Sequence, residues 1–161
     1  MSDDLSTNEP WVYMSKNLTS FGNMMPQSKA IGAIFTEITK GRATCILPWN
    51  EKLLGDKENG IMASGAVVTL MDQTCGTAAM AALDKPFTMA TLDLRVDHMK
   101  AGRKGHDIRV VAHCYRITRS IAFVRGFAYD GDSDDDIVSA AQACFMINSD
   151  VPLEGANVAK S

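Results

Sequence analysis

Hydrophobic and polar residues alternate along most of the second half of the chain, which is the pattern of strands with one buried face. A shorter alternating stretch precedes them, and Lys40 and Gly41 mark a hairpin turn within it. Residues 48–60 are predicted to form a loop with one short helical turn. The predicted strands cover residues 31–39, 42–47, 87–99, 107–117, 120–130 and 137–147.

One segment breaks this alternation, because residues 61–83 are hydrophobic or small at nearly every position. The segment has the length of a membrane span, but its serine, threonine, glutamine and aspartate residues favour a helix buried inside a globular protein. A helix that is apolar on nearly all sides must be covered on all sides. We therefore expect an α+β fold in which a curved antiparallel sheet of about six strands wraps around this central helix.

An additional helix is predicted before the first strand. Its cap is Thr7 or Asn8, Pro10 lies in its first turn, and it runs to about residue 21. Gly22 and Pro26 are expected to end it. The expected organisation is an N-terminal tail and helix over residues 1–30, a single domain over 31–147 and a flexible polar tail over 148–161.

The composition is that of one globular domain. The chain has 161 residues, of which 46% are hydrophobic and 22% are charged. Its net charge of −3 and its lack of a basic cluster argue against nucleic acid or an anionic membrane as a partner. The acidic N-terminus is unlike a secretory signal, so we expect a cytoplasmic location.

No metal site is expected. The acidic run at residues 130–136 is typical of a solvated turn, and it lacks the terminal glutamate of a calcium-binding loop. The four cysteines have no C-x-x-C spacing, lie among apolar residues and are interpreted as core residues in a reducing compartment. Cys75 has no histidine near it in the sequence that would activate it as a nucleophile. The other three are Cys45, Cys114 and Cys144.

Asp72 is the only charged residue in the central helix. An ionised carboxylate in an apolar segment is costly unless it is paired, hydrated or used chemically. Helical spacing places it on one stripe with Gly65, Thr69, Gly76 and Ala79. Because small residues let a ligand approach closely, the stripe predicts a shallow groove that contains one carboxylate. The alternative is a small-residue face that packs against another helix.

The start of the central helix offers a second chemical group. Backbone N–H groups in the first turn have no partner within the helix and lie at the positive end of its dipole. The N–H of Gly65 is the preferred donor to a carbonyl oxygen that becomes an oxyanion, and Ser64 is equally well explained as an N-cap. Gly65 lies about 10 Å along the helix from Asp72, which is too far for both to act on one carbonyl within a chain. The separation suits a site that two chains share.

Over residues 31–147, these patterns resemble the hotdog-fold acyl-CoA thioesterases of the phenylacetic-acid-pathway type. In that family the central helix opens with H-G-G and carries a catalytic Asp or Glu two turns later, and residues 64–72 here read SGAVVTLMD. The next family strand reads T-x-D-L-x-(I/V)-x-(F/Y)-(L/M), and residues 91–99 here read TLDLRVDHM. The family's G-(R/K)-(S/T) turn is matched by residues 118–120, TRS.

The resemblance implies a hotdog fold and the hydrolysis of an acyl-CoA thioester to free acid and CoA. It implies no cofactor besides the CoA of the substrate, and a homodimer or a tetramer of two dimers. Asp72 would be the general base or nucleophile, Gly65 would polarise the carbonyl from the partner subunit, and Thr91 would hold the attacking water or Asp72. The residues implied to contact CoA are Arg119, Ser120, Arg103 and Lys104.

The chain departs from the family pattern at the helix start, where Ser64 replaces the histidine and Ala66 replaces the second glycine. Asn59 is the candidate counterpart of an upstream family asparagine. The missing histidine motivates an alternative function, a non-catalytic acyl-CoA or fatty-acyl binding protein on the same fold. Hydratase chemistry is disfavoured because no Asp/His pair lies at a helix start, and His98 and His113 are interpreted as structural residues on strands. The candidates for a soft apolar acyl pocket are Met62, Met71, Met80, Met89 and Met99.

Overall fold

The computed structural model describes residues 9–152, in which a sheet surrounds one long helix. The helices are α1 (Pro10–Lys16), α2 (Leu18–Asn23), α3 (Pro26–Ile31) and α4 (Ser64–Ala81), with a single 3-10 turn at Glu51–Leu53. The strands are β1 (Ile34–Thr39), β2 (Arg42–Leu47), β3 (Leu54–Asp56), β4 (Ile61–Met62), β5 (Phe87–His98), β6 (Ile108–Ile117), β7 (Ile121–Asp130) and β8 (Ile137–Pro152).

Six strands form one antiparallel sheet in the order β1-β2-β6-β7-β8-β5, and β3 pairs with β4 in a separate two-stranded ribbon. The sheet wraps around α4, because α4 contacts all six of its strands. This is the hotdog arrangement that the sequence resemblance implied. No helix within residues 9–152 is long and apolar enough to cross a membrane.

The N-terminal segment forms three short helices where one was predicted. Asn17 interrupts the first with φ −127° and ψ 39°, and its side-chain amide donates a 2.9 Å hydrogen bond to the carbonyl oxygen of Tyr13. Pro26, predicted to end the helix, instead begins α3, where its missing N–H costs no hydrogen bond. The predicted caps Thr7 and Asn8 lie outside the described residues.

Two element starts also differ from the prediction. β1 starts at Ile34, because α3 takes the residues before it and Gly32 then turns the chain with a φ of 75°. The central helix starts at Ser64 because Ile61–Met62 pairs with β3 as strand β4. The predicted helical turn in the preceding loop is confirmed by the 3-10 turn at Glu51–Leu53.

The last strand continues beyond its predicted end at residue 147. Asn148 still pairs with Thr88, and Pro152 pairs with Phe87 at the start of β5. The predicted flexible tail over 148–161 is therefore wrong for residues 148–152, which belong to β8. The polar residues Asn148, Ser149 and Asp150 concealed a strand that pairs with β5 through its backbone.

α4 is held by the packing of its apolar faces against the sheet. Leu70, Met71, Cys75 and Ala78 are completely buried. The sheet comes close enough to cover them because β7 has a glycine at the contact. A Cβ atom at Gly126 would lie 2.8 Å from Sγ of Cys75, a distance that neither atom tolerates.

The expectation that α4 is buried on all sides is wrong for one stripe along the helix. Ala79, predicted to lie on this stripe, is completely buried. The stripe continues to Met80 instead, since four residues complete slightly more than one helical turn. Its exposed or half-buried members are Gly65, Thr69, Asp72, Gly76 and Met80.

β5 lies at the edge of the sheet and contains a bulge. The register of its pairing with β8 shifts between Thr91 and Asp93, so Leu92 has no partner on β8. On both sides of the bulge, the β5 residues that face α4 are those opposite buried residues of β8. These pairs are Thr91 with Phe145, Leu94 with Ala143, Val96 with Ala141 and His98 with Ser139.

Asp130 at the end of β7 is completely buried and holds the loop between β5 and β6. Its Oδ2 accepts hydrogen bonds from the backbone N–H of Arg103 at 3.0 Å and from Nε of Arg103 at 2.8 Å. Its Oδ1 lies 3.1 Å from Nδ1 of His106. Burial alone would raise the pKa of Asp130, but the hydrogen bonds and charge of Arg103 hold that pKa below its usual value.

We expect Asp130→Ala to lower the free energy of unfolding by about 2–3 kcal/mol, because the donors of Arg103 lose their buried acceptor. Asp132→Ala, on the exposed turn that follows, is the matched control and should change it by less than about 0.5 kcal/mol. Denaturant unfolding of both variants measures the difference. Equal losses in the two variants would contradict the role of Asp130.

The same contribution has a predicted pH dependence. Folding lowers the pKa of Asp130, so its stabilising effect is present above the pKa of an unfolded aspartate and is lost as pH falls through the folded value. The gap in stability between the wild type and Asp130→Ala should therefore narrow in acid. Unfolding curves at a series of acidic pH values test this, and a gap that widens toward low pH would exclude it.

Candidate active site

Asp72 and Thr91, two of the predicted catalytic residues, lie together. Asp72 is half-buried on the exposed stripe of α4, and Thr91 faces it from the edge strand β5. The hydroxyl of Thr91 donates a 3.0 Å hydrogen bond to Oδ1 of Asp72. This bond orients the carboxylate and uses one of its two oxygens.

A mainly apolar cavity of about 170 Å³ opens beside Asp72. Its walls come from the N-terminal helices, α4, β5 and β8. The apolar lining residues are Phe21, Met25, Gly76, Met80, Met89 and Phe145. Sequence reasoning missed Phe21 and Met25, because the pattern of an amphipathic helix does not reveal what the helix packs against.

The start of α4 is exposed. Ala63 is the N-cap residue and makes no side-chain cap hydrogen bond, so the alternative that Ser64 caps the helix is wrong. Helix geometry leaves the N–H groups of Ser64 and Gly65 without an acceptor inside the helix. A Cβ at Gly65 would meet nothing within 4 Å, so space for a ligand or another chain lies next to this backbone.

A larger cavity of about 440 Å³ lies at the start of α4. Ser64 and Val67 line it from the helix, and Arg103 lines it from the loop after β5. His98 and Ser139 line it from β5 and β8, with Nδ1 of His98 2.8 Å from the hydroxyl of Ser139. The sequence analysis interpreted His98 as a structural residue, at the (F/Y) position of the strand motif, and it did not select Ser139, which belongs to no motif.

The two cavities divide the predicted groups between them. Asp72 and Thr91 line the smaller one, whereas Ser64 lines the larger one next to Gly65. Gly65 itself lines neither cavity, so its action with Asp72 across two chains stays a prediction. Of the candidate pocket methionines, Met80 and Met89 line the smaller cavity, Met62 and Met99 line the larger one, and Met71 is buried in the core.

The cationic candidates are dispersed. Arg103 lines the larger cavity, and its guanidinium is paired with Asp130. Lys104 lies across Gly60, since a Cβ at Gly60 would be 2.4 Å from Cγ of Lys104, and it does not line the cavity. Arg119 and Ser120 are exposed in the turn between β6 and β7, and neither lines either cavity.

Asn59 does not reach the candidate site. Its side-chain amide donates to Oδ2 of Asp56 at 2.8 Å, and its backbone N–H donates to Oδ1 at 3.1 Å. These hydrogen bonds close the turn between β3 and β4 and lower the pKa of Asp56. An asparagine at position 59 is therefore explained by its role in closing this turn.

The cysteines have the character predicted for core residues. Cys45, Cys75 and Cys114 are buried, and Cys144 is half-buried. Burial raises the pKa of Cys45 and of Cys75 to about 12. Their thiols stay protonated near neutral pH, which excludes them as nucleophiles in the folded protein.

The segment that contains α4 and β5 matches a known family. Residues 59–136 match the thioesterase superfamily. A solved structure of a Pseudomonas aeruginosa protein is 30% identical, with a TM-score of 0.73, and the match covers 83% of this chain and 98% of that one. This chain belongs to the thioesterase superfamily. The matched residues include Asp72, Thr91 and the start of α4.

Other solved structures share the fold of this thioesterase-superfamily chain at lower identity. The Escherichia coli PaaI protein from the phenylacetic acid degradation operon is 11% identical with a TM-score of 0.71, covering 88% of this chain and 96% of that one. A Streptococcus mutans protein bound to acetyl CoA is 18% identical with a TM-score of 0.62, covering 71% and 86%. A comparison with curated proteins found no match. Membership of the superfamily supports a thioester hydrolase, and the hotdog fold is confirmed.

We expect Cys45 and Cys75 to resist a thiol reagent at about pH 8 while the protein is folded, because their raised pKa values leave almost no thiolate. Both should react after unfolding in guanidinium. Cys144 is an internal comparison, since it is only half-buried. Peptide mapping by mass spectrometry measures each site, and rapid labelling of native Cys75 would contradict its assignment to the core.

Proposed function

We propose that this protein hydrolyses an acyl-CoA thioester to the free acid and CoA. The observation that carries the proposal is the hydrogen-bonded pair of Asp72 and Thr91 at the edge of an apolar cavity. Membership of the thioesterase superfamily supports the reaction class. The acetyl CoA bound to the Streptococcus mutans protein supports a CoA thioester as the substrate.

Asp72 is proposed to act on the thioester carbonyl in one of two ways. As a general base, it takes a proton from water while the water oxygen attacks the carbonyl carbon, and the departing thiolate then takes up that proton. As a nucleophile, its carboxylate oxygen attacks the carbonyl carbon, the C–S bond breaks and CoA leaves as the thiolate. Water then hydrolyses the mixed anhydride to the free acid, which restores the carboxylate and supplies the proton that the thiolate takes up. The bond from Thr91 orients the carboxylate in either route, and the cavity beside Asp72 receives the acyl group.

The proposed site combines two chains. Within the described residues β5 pairs with β8 and forms one edge of the sheet, and a second copy is proposed to pair along this edge. This edge is twelve residues long and carries Leu92, which is 53% exposed. In a homodimer, or in a tetramer of two dimers, the partner subunit's Gly65 would supply the oxyanion donor that Asp72 lacks in its own cavity.

The CoA moiety is assigned to the larger cavity at the start of α4. Arg103 is the favoured phosphate contact, because it lines this cavity and its guanidinium has further donors beyond the one that Asp130 accepts. The contacts of Arg119, Ser120 and Lys104 with CoA stay predictions, since these residues line neither cavity.

Ser64 favours one alternative function. It stands where the related enzymes have a histidine, so a protein that binds acyl-CoA or fatty-acyl groups without hydrolysing them is the second candidate. A thioesterase releases thiol from a bound ester, whereas a binding protein does not, so thiol release distinguishes the two functions.

We expect Asp72→Asn to lower kcat/KM for acyl-CoA by about 10²–10⁴-fold, because asparagine keeps the shape of the side chain but accepts no proton from water. Asp132→Asn, which changes an exposed carboxylate on the turn after β7, is the matched control and should keep full activity. Thiol release from short, medium, long and aromatic acyl-CoAs measures both. Hydrolysis by Asp72→Asn at the wild-type rate would exclude the mechanism, and binding without thiol release in the wild type would favour the alternative.

The position of the acyl group can be tested at Gly76, one helical turn after Asp72. A Cβ there would lie 3.4 Å from Phe145, so a larger side chain fills the smaller cavity. We expect Gly76→Val to lower kcat/KM for six-carbon acyl-CoA by about 10–200-fold, while acetyl-CoA loses much less. The kcat/KM of Gly76→Ala for six-carbon acyl-CoA should lie between those of the wild type and Gly76→Val. Equal losses for both esters would place the acyl group elsewhere.

A further inference from the structure

His98 reaches the start of α4 because of the bulge in β5. Beyond this bulge the residues that face α4 are Leu94, Val96 and His98. Strict alternation from Thr91 would instead have turned residues 95 and 97 inward and His98 outward. The bulge therefore brings an imidazole to the same side of the sheet as Asp72 and Thr91.

The imidazole is held by a buried hydroxyl. Ser139 is 1% exposed, and its Oγ lies 2.8 Å from Nδ1 of His98. A buried hydroxyl is nearly always hydrogen-bonded, so this contact fixes the orientation of the ring. When Ser139 donates to Nδ1, the ring proton lies on Nε2, which is then a donor for a ligand.

His98 shares its cavity with the first turn of α4. Ser64, Val67 and Arg103 line the same space of about 440 Å³. The helix start has lost the histidine of the family pattern at Ser64 but has an imidazole beside it on β5. An imidazole is therefore available in the cavity that the start of α4 lines.

We propose that His98 is a catalytic residue whose Nε2–H donates a hydrogen bond to the carbonyl oxygen of the bound thioester, beside the N–H of Gly65. Ser139 is the positioning residue that keeps the proton on Nε2. This inference rests on the proposed thioester hydrolysis.

The proposed hydrolysis needs no proton donor other than the attacking water. Water attacks the carbonyl carbon, Asp72 of the facing protomer takes the water proton, and the electron pair of the C=O bond moves to the oxygen. The donors at Gly65 and His98 hold this oxyanion, and His98 keeps its own proton. When the C=O bond re-forms, the C–S bond breaks and the thiolate takes the proton from Asp72.

A donor to the oxyanion acts mainly in the transition state, so its loss lowers kcat more than it raises KM. We expect His98→Ala to lower kcat for the best acyl-CoA by about 10–100-fold with KM changed by less than about threefold. His98→Gln retains a side-chain N–H and should recover part of the rate. His113→Ala, an exposed histidine on β6 that does not line the cavity, is the matched control and should leave both constants unchanged.

Ser139 is tested in combination with His98. Ser139→Ala should lower kcat in the wild type but have no effect in the His98→Ala background, because its action passes through the imidazole. A structural role would lower activity equally in both backgrounds. Equal effects would therefore exclude Ser139 as a positioning residue.

Histidine NMR signals provide a readout that does not need turnover. The chain has three histidines, so the spectrum of His98→Gln identifies the His98 signal. Saturation with a 2-oxoalkyl-CoA, a non-hydrolysable thioether that keeps a carbonyl group, should shift this signal and leave that of His113 in place. A wild-type rate in His98→Ala together with an unshifted His98 signal overturns the inference.

A failure of the proposed hydrolysis can be distinguished from a failure of the role proposed for His98. If the wild type releases no thiol from any acyl-CoA, the hydrolysis itself is excluded. The shift of the His98 signal then decides alone whether the imidazole contacts the bound ester, and an unshifted signal at saturation overturns the contact.

Discussion

The burial of α4 is the constraint on which the rest of the structure depends. Its apolar faces need a cover on several sides, and the sheet supplies this by wrapping around the helix with a glycine, Gly126, at the tightest contact. The wrapping stops at the edge strand β5, so one stripe of α4 stays uncovered. Asp72 lies on this stripe, and Thr91 reaches it from β5. The same stripe begins at the exposed start of α4, where Gly65 lies. The reactive groups of the candidate site therefore lie along the part of α4 that the sheet leaves uncovered.

Two carboxylates in this fold have opposite environments. Asp130 is completely buried, and the donors of Arg103 satisfy one of its oxygens, so it joins the loop after β5 to the end of β7. Asp72 is half-buried, and its described partner is the neutral hydroxyl of Thr91. The guanidinium and backbone of Arg103 occupy the lone pairs of one oxygen of Asp130, whereas the single hydrogen bond from Thr91 leaves the second oxygen of Asp72 open to a water molecule. The contrast explains why Asp72, and not the more buried Asp130, is suited to chemistry.

Much of this architecture was predictable from local patterns. Period-two alternation located all six strands of the sheet, and the lone charge of Asp72 in an apolar segment located the stripe on α4. Features that depend on contacts between distant segments were not predictable in this way. The wall that Phe21 and Met25 add to the cavity depends on how short helices dock, and the strand character of residues 148–152 depends on pairing with β5. His98 was hidden for a related reason, since a bulge changes which residues face inward without leaving a signal in composition.

The unpaired Leu92 has a consequence for how β5 tolerates changes in length. The residues on either side, Thr91 and Asp93, pair with the consecutive residues Phe145 and Cys144. Removing Leu92 would therefore leave every other pairing of the strand in register. An insertion or deletion elsewhere in β5 would rotate all residues beyond it to the opposite face. Between Thr88 and His98, chain-length variation is thus expected to be confined to this one position, which separates the Thr91 end from the His98 end.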